Sequence, residues 1–205
     1  MIDNTCRRCR QVGEKLCSRI KCASAKRELS SGQHGKKPAM RKLSEYGKQL
    51  REKQKAKTVY GLLEAQFIRF FDEATHQKGA TGENLLSLLE RRLDNVIYRL
   101  KMASSRRQSH QMIIHGHVTV NNQRVSSPSY VVNVGDEIGF VENSLKHQPF
   151  VENVINKRLG LAIKVPEWLE LKKKDLKGVV LRLPVRTDIN VPIEEHLIVE
   201  LYSKC

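Results

Sequence analysis

Apolar positions are sparse and without period over the first 42 residues, and then they become regular. A helical pattern begins at Leu43-Ser44-Glu45, where Ser44 suits an N-cap and Glu45 the positive end of a helix. Gln49 to Lys57 continues it as a basic, helix-prone run. Val59, Leu62, Leu63, Gln66, Phe67, Phe70 and Phe71 recur at helical spacing and predict an amphipathic helix with its phenylalanines in the core. Gly79-Ala80-Thr81-Gly82 breaks the pattern. The next predicted helix has Thr81 or Gly82 near its cap and turns Leu85, Leu86, Leu88, Leu89 and Leu93 inward. Asp94 is placed to cap a short helix through Val96, Ile97 and Leu100. A turn at 101–104 leads to a second short helix, capped by Ser104 or Ser105, buried through Met112 and Ile113, and closed by Gly116 in the left-handed conformation.

The period then shortens to that of strands. Val118-Thr119-Val120 reads as a strand, Asn121-Asn122 as a hairpin turn tolerant of positive φ, and Val125 as the return. Tyr130-Val131-Val132 and Ile138-Gly139-Phe140-Val141 are expected strands around the turn Val134-Gly135-Asp136. Near the end, Ile193, Leu197 and Leu201 give a helix one apolar edge. The expected fold class is α+β. A basic cysteine-containing arm (1–42) precedes a helical domain (43–92) joined by the C-terminal helix (188–205). A module of two short helices and a small antiparallel sheet occupies 93–187.

Charge sharpens this picture. The 205 residues carry a net +15, and residues 1–57 hold seventeen Lys/Arg against five Asp/Glu. The arm is thus an electrostatic appendage on a more ordinary globular body, and it calls for an anionic partner. From Asn95 to Gly135 there is no acidic residue, while Arg99, Lys101, Arg106, Arg107, Arg124 and three histidines fall inside. That surface is kept clear of groups that repel phosphate. On the second short helix, Arg106, Arg107 and His110 are expected outward, the amino end offers N–H groups to phosphate, and Gln108 and Gln111 can bond sugars or bases. Aromatic residues are only 5% of the chain, which argues against a stacking sheet for single strands. The first residues lack the apolar core of a signal peptide, and no run is long enough for a spanning helix. The expected compartment is the cytoplasm, with an organelle as the other setting.

Cys6, Cys9, Cys17 and Cys22 form the pattern C-x2-C-x7-C-x4-C, with Cys205 apart. In a reducing compartment four such cysteines read as thiolate ligands, with the first pair gripping a metal through a tight turn. Arg7, Arg8, Arg10 and Lys15 favour the thiolate form. Zinc is the expected ion, although the spacing alone also admits an iron–sulfur cluster, or four free thiols in a flexible arm.

Several segments carry a resemblance. Glu90 to Leu100 (ERRLDNVIYRL), Ser105-Arg106 and His115 to Asn121 (HGHVTVN) resemble the bacterial-type ribosomal protein S-four family and the RNA-binding module named after it. So do Gly32 to Gly35 (GQHG), Tyr46 to Lys55 (YGKQLREKQK), Thr81 to Leu86 (TGENLL), Val180 to Pro184 (VLRLP) and Leu197 to Ser203 (LIVELYS). The module alone is shared with RNA-modifying enzymes, whereas the terminal matches point to the ribosomal family.

The resemblance implies a non-enzymatic constituent of the small ribosomal subunit. Such a protein binds the 5′ domain of the ribosomal RNA early in assembly. It sits beside the channel where messenger RNA enters, with the neighbouring protein S-five, and influences decoding accuracy. RNA contacts are expected from Lys36, Lys37, Arg41 and Lys42 of the arm, and from Tyr46, Lys48, Arg51, Lys53, Lys55 and Lys57 of the first long helix. In the module they are expected from Arg99, Ser105, Arg106, Arg107, Gln108, His110, Gln111, His115, His117, Asn121 and Arg124. Three departures stand out. The run between the cysteine pairs is short, Lys101 stands where glycine is common, and Ser104, His110 and Ile114 stand where arginine is frequent. The alternatives are a free-standing ribosome-associated factor or an RNA-modifying enzyme carrying the same module. For the enzyme, Asp94, Asp136 and Asp175 read better as a cap, a turn residue and a surface charge, and no length remains for a catalytic domain.

Overall fold

The computed structural model describes residues 5–16, 22, 43–146, 152, 164–172 and 175–203, with backbone alone at 5–7 and 11. In chain order the helices before the sheet are α1 (Thr5–Val12), α2 (Glu45–Tyr60), α3 (Glu64–His76), α4 (Thr81–Glu90), α5 (Leu93–Arg99) and α6 (Arg106–Ile114). Strands β1 (Val118–Val120), β2 (Gln123–Arg124) and β3 (Glu137–Phe140) follow, then the single turn α7 (Glu142–Leu145). Strands β4 (Leu169–Lys172) and β5 (Lys177–Val180), a 3-10 turn (Arg186–Asp188) and α8 (Glu195–Ser203) complete the described elements. The chain is α+β, as its patterning predicts. It divides into two units, Met1–Asp72 with Val191–Cys205, and Glu73–Asn190. Helix α4 lies within the second of these units.

In the first unit α2 is the hub, with α1 and α8 packed on it. Ser44 caps α2, its Oγ accepting from the Gly47 amide at 3.2 Å. The helix ends at Gly61, which takes a left-handed φ of 71° while the Leu62 amide bonds Lys57 O at 3.0 Å. The apolar pattern across Val59–Phe71 therefore belongs to two helices and not one. Leu62 is buried in the connection and Leu63 is 72% exposed. Phe67 is fully buried, and Phe71 stacks on Tyr202 with ring centroids 4.4 Å apart. The apolar edge of α8 runs through Ile198 and Leu201 with Ile193 just before it. Leu197 is only half-buried, because the i, i+3 register starts one residue later than expected.

The second unit packs α5, α6 and a five-stranded antiparallel sheet, of order β2-β1-β3-β5-β4, around one core. That core includes Val96, Ile97, Leu100, Met112, Ile113, Val118, Ile138, Trp168 and Val180. The β1–β2 hairpin turns through Asn121 and Asn122 at φ 51° and 63°, the mirror-image turn that suits strand twist. Two expectations are corrected together. Arg92, not Asp94, is the N-cap residue of α5, and Tyr130-Val131-Val132 is not a strand of the sheet. The reason is shared: the Leu93 and Asp94 amides donate to Tyr130 O and Pro128 O, so the 128–132 segment caps α5 with its backbone. Only a single bridge, Arg92 to Val131, resembles pairing. The β4–β5 hairpin was not anticipated. It is anchored by buried Trp168 and Leu169, and Gly178 lies so close to Leu100 that an added Cβ would sit 2.3 Å from Leu100 Cδ1.

Candidate nucleic-acid interface

The helix pair α5–α6 is joined by a turn in which Lys101 takes a left-handed φ of 60°, the conformation for which glycine is the usual residue. Ser105 then caps α6, its Oγ accepting from the Gln108 amide at 3.3 Å, so one of the amino-end donors is already used. The Gln108 carboxamide oxygen in turn accepts from the Ser104 amide at 2.7 Å. At the other end Gly116, at φ 69°, lets the chain turn into β1, and the guanidinium of Arg124 lies directly over it.

A buried polar network fixes the angle between the two helices. Glu90, 1% exposed, accepts from Arg99 at 2.6 and 2.9 Å and from Asn95 Nδ2 at 2.7 Å. Asn95 Oδ1 accepts from Arg106 Nε at 2.7 Å, and the Arg106 guanidinium lies 4.5 Å from the centre of the Tyr98 ring. Beside it, Arg92 grips Asp94 through two bonds of 2.6 and 3.1 Å, and His110 Nδ1 stands 3.6 Å from the same carboxylate. Arg99 and Arg106 thus join α4, α5 and α6 from within. Charge and spacing alone gave no sign of that, since their partners lie nine and eleven residues away.

Outward from this network, α6 presents Arg107, His110, Gln111 and Ile114, followed by His115 and, on β2, Arg124, all exposed. His115 and His117 stack at 6.1 Å with 20° between their planes, and His117 Nδ1 contacts Ser144 Oγ at 2.9 Å. Arg124 Nη2 donates to His115 O at 3.2 Å. Asn121, exposed at the hairpin turn, braces the next strand, donating to Asp136 Oδ1 at 2.8 Å and accepting from the Glu137 amide at 2.9 Å. Asp136 also accepts from the Asn133 amide at 2.7 Å, which makes it the turn residue expected, and Asp175 is exposed. The surface is cationic and backed by the buried polar network, which suits phosphate and sugar contact with folded RNA.

In the first unit the basic residues of α2 separate into two sets. Tyr46, 62% exposed, and Lys48 stand in solvent. Arg51 bonds the Val12 carbonyl. Lys53 and Lys57 both bind Glu64, at 2.8 and 2.6 Å. Burial pushes the Glu64 carboxyl up, but hydrogen bonds from the two lysines outweigh it and hold its pKa at about 2. Lys55, buried, pairs with Glu52 at 2.8 Å and Glu14 at 2.9 Å. Burial opposes its charge, and the two carboxylates more than offset this, raising its pKa. Lys36, Lys37, Arg41 and Lys42 lie outside the described residues.

Cys6 and Cys9 are three positions apart on α1, a helix where a tight turn was expected. Cys9 and Cys22 are buried, and the Leu16 amide donates to Cys9 Sγ at 3.3 Å. Cys17 and the Cys6 side chain lie outside the described residues.

Comparison with known proteins agrees with this layout. A family model described as "Ribosomal protein S4/S9 N-terminal domain" matches residues 1–90, and one described as "S4 domain" matches 91–138. A protein of Ruminiclostridium cellulolyticum called small ribosomal subunit protein uS4 is 50% identical over 208 residues, covering 98% of each chain. Its namesake from Acetivibrio thermocellus is 52% identical over 206 residues, covering 98% of this chain and 97% of that one. A third, from a Thermoanaerobacter species, is 50% identical over 206 residues. These relatives are ribosomal proteins and not enzymes, in agreement with the expectation that this chain catalyses nothing. With matches over nearly its whole length, the chain belongs to the uS4 family of small ribosomal subunit proteins.

Proposed function

We propose that the protein binds the 5′ domain of small-subunit ribosomal RNA directly and, by holding a folded junction there, nucleates assembly of the subunit in the cytoplasm. The observation that carries this reading is the outer face of α6 and β2. Arg107, His110, Gln111, His115 and Arg124 are exposed there, within a stretch free of carboxylates and backed by the buried Glu90–Asn95–Arg106 network. Tyr46 and Lys48 at the head of α2 offer a second contact, and the basic arm adds counterion release without sequence preference. Within the subunit the protein lies beside protein S-five and the channel where messenger RNA enters, and contributes to decoding accuracy.

The test is binding of the full chain to a transcript of that RNA domain across a salt series, with transfer RNA as competitor. Saturable binding that persists in excess transfer RNA is expected. Equal affinity for both RNAs, lost together at moderate salt, would leave only a generic polycation.

The four cysteines Cys6, Cys9, Cys17 and Cys22 are proposed to hold one zinc ion, which ties α1 to the chain that follows it. The amide bond to Cys9 Sγ and the burial of Cys9 and Cys22 support this assignment. One equivalent of zinc by elemental analysis, lost in Cys9→Ser, is the expected result. Bound iron with a visible chromophore would assign a cluster instead, and no metal in freshly purified, reduced protein would overturn the site.

A further inference from the structure

Several cations of the α5–α6 region are committed to the fold, and what they leave at the RNA-facing edge differs in kind. Arg99 belongs to Glu90, Arg92 to Asp94, and Arg106 is bonded to Asn95 and laid on Tyr98. The outer edge therefore carries two permanent cations, Arg107 and Arg124, together with three imidazoles, His110, His115 and His117. Imidazole is the side chain whose charge ordinarily changes between pH 5 and 8.

The groups that face each ring come from several elements. From α5, His110 faces Asp94 at 3.6 Å, but that carboxylate already carries two bonds from Arg92, so its charge is largely neutralised. On its own helix His110 lies one turn from Arg107 and close to Arg106. His115 meets Arg124 of β2 at its carbonyl, and its ring stacks on that of His117. His117 is approached from α7 by Ser144, on a turn bearing Glu142 at its start and followed by Lys146. A proton on either stacked ring opposes a proton on the other. The three imidazoles thus gather at one edge of the face, the stacked pair next to the strand that carries Arg124 and His110 beside a carboxylate already held by Arg92.

From this we infer that RNA binding at the α6–β1 face is proton-linked: His110, His115 and His117 act as protonatable phosphate ligands, and docking of the RNA backbone draws protons onto them. The inference rests on the RNA-binding reading above and adds to it a sensitivity to pH. A change of about one proton per complex is the expected scale, because protons on the two stacked rings oppose each other.

The experiment measures Kd of the full chain for the transcript of the small-subunit 5′ domain at pH 6.0, 7.0 and 8.0, at constant ionic strength. Calorimetry at pH 7.0 in two buffers of different ionisation enthalpy then counts protons taken up. Affinity is expected to be at least about fivefold greater at pH 6.0 than at pH 8.0, with net proton uptake. The double variant His110→Asn/His115→Asn should lose most of that dependence. His110→Arg, which installs a fixed charge, should bind more tightly at pH 8.0 and respond less to pH. Circular dichroism at each pH keeps unfolding distinct from weakened binding. Specific binding with a flat pH profile and no proton uptake would overturn the linkage and leave the RNA-binding reading standing. A dependence that survives unchanged in the double variant would also overturn it. Failure to prefer the ribosomal transcript over transfer RNA at any pH would sink both.

Discussion

Arg99 closes on Glu90 through two parallel bonds of 2.6 and 2.9 Å, and the carboxylate it holds is 1% exposed. An arginine that reads in sequence as a phosphate ligand is thereby the counter-ion of a buried acid. Removing it would strand that acid in the core. Arg99→Met is expected to lower stability by about 3 kcal/mol, whereas the double variant Glu90→Gln/Arg99→Met should recover part of the loss. Urea denaturation of the four corners of this cycle measures the coupling. A single variant as stable as the parent would show that the pair contributes nothing.

Gly178 tests the packing of the β4–β5 hairpin on α5. A methyl group there would lie 2.3 Å from Leu100 Cδ1 and 2.8 Å from Cδ2. Gly178→Ala should cost about 1–3 kcal/mol through overpacking. Leu100→Ala, itself destabilising because Leu100 is fully buried, should be better tolerated when Gly178 is already alanine. Additive losses would mean that the two positions do not meet.

Glu64 gives the first unit an acid-sensitive contact. Its folded-state pKa of about 2 lies below the ordinary 4.5, so its contribution to stability is fully present above pH 4.5. It is lost as the pH falls through about 2. Because the side chain is 41% exposed, solvent screening reduces the contribution to about 1 kcal/mol. Glu64→Gln should therefore lower stability near neutrality and flatten the acid limb of the stability profile between pH 4.5 and 2, followed by thermal unfolding. An acid limb identical to the parent's would remove Glu64 from the account.

Lys55 and Arg107 should separate fold from binding. Lys55→Met leaves Glu52 and Glu14 without their shared cation, and is expected to reduce stability by about 1–3 kcal/mol. Arg107→Gln should cost less stability than Lys55→Met and reduce the log-salt slope of RNA binding by about 0.7–0.9. Paired melting curves and salt titrations of the two variants provide the check, and a reversal of the two phenotypes would refute the division.

The sequence made the local devices legible. Ser44, Ser105, Gly116 and the Asn121-Asn122 turn each carry their own chemistry, and each appears where it was expected. Long-range pairing was another matter. Periodicity ran straight through Gly61, because apolar spacing on both sides is helical and only the left-handed φ of that glycine reveals the break. Tyr130-Val131-Val132 is β-branched and aromatic enough to suggest a strand, yet its neighbourhood is spent capping α5. The same blindness affected the interface. Lys53, Lys55, Lys57 and Arg99 are expected at phosphate, and the carboxylate partners they also hold, remote in sequence or on another turn, are visible only in the packed chain. Arg107 and Arg124 cannot be told from those four by sequence, because exposure is a property of the packed chain.

The first unit is built from both ends of the polypeptide. The Gln49 side chain bonds Glu200 at 2.8 Å, the Glu194 amide bonds Glu52, and Tyr202 bonds Glu64. During synthesis from the amino end, α2 exists long before the segment that covers it has been translated. The sheet unit, whose partners are contiguous from Glu73 to Asn190, has all of its own material available earlier. Folding on the ribosome should therefore run out of chain order, with the sheet unit consolidating while α2 waits for α8. A nascent chain halted before residue 195 would be a finished sheet unit carrying an α2 without α8, the form most exposed to proteolysis and to chaperones.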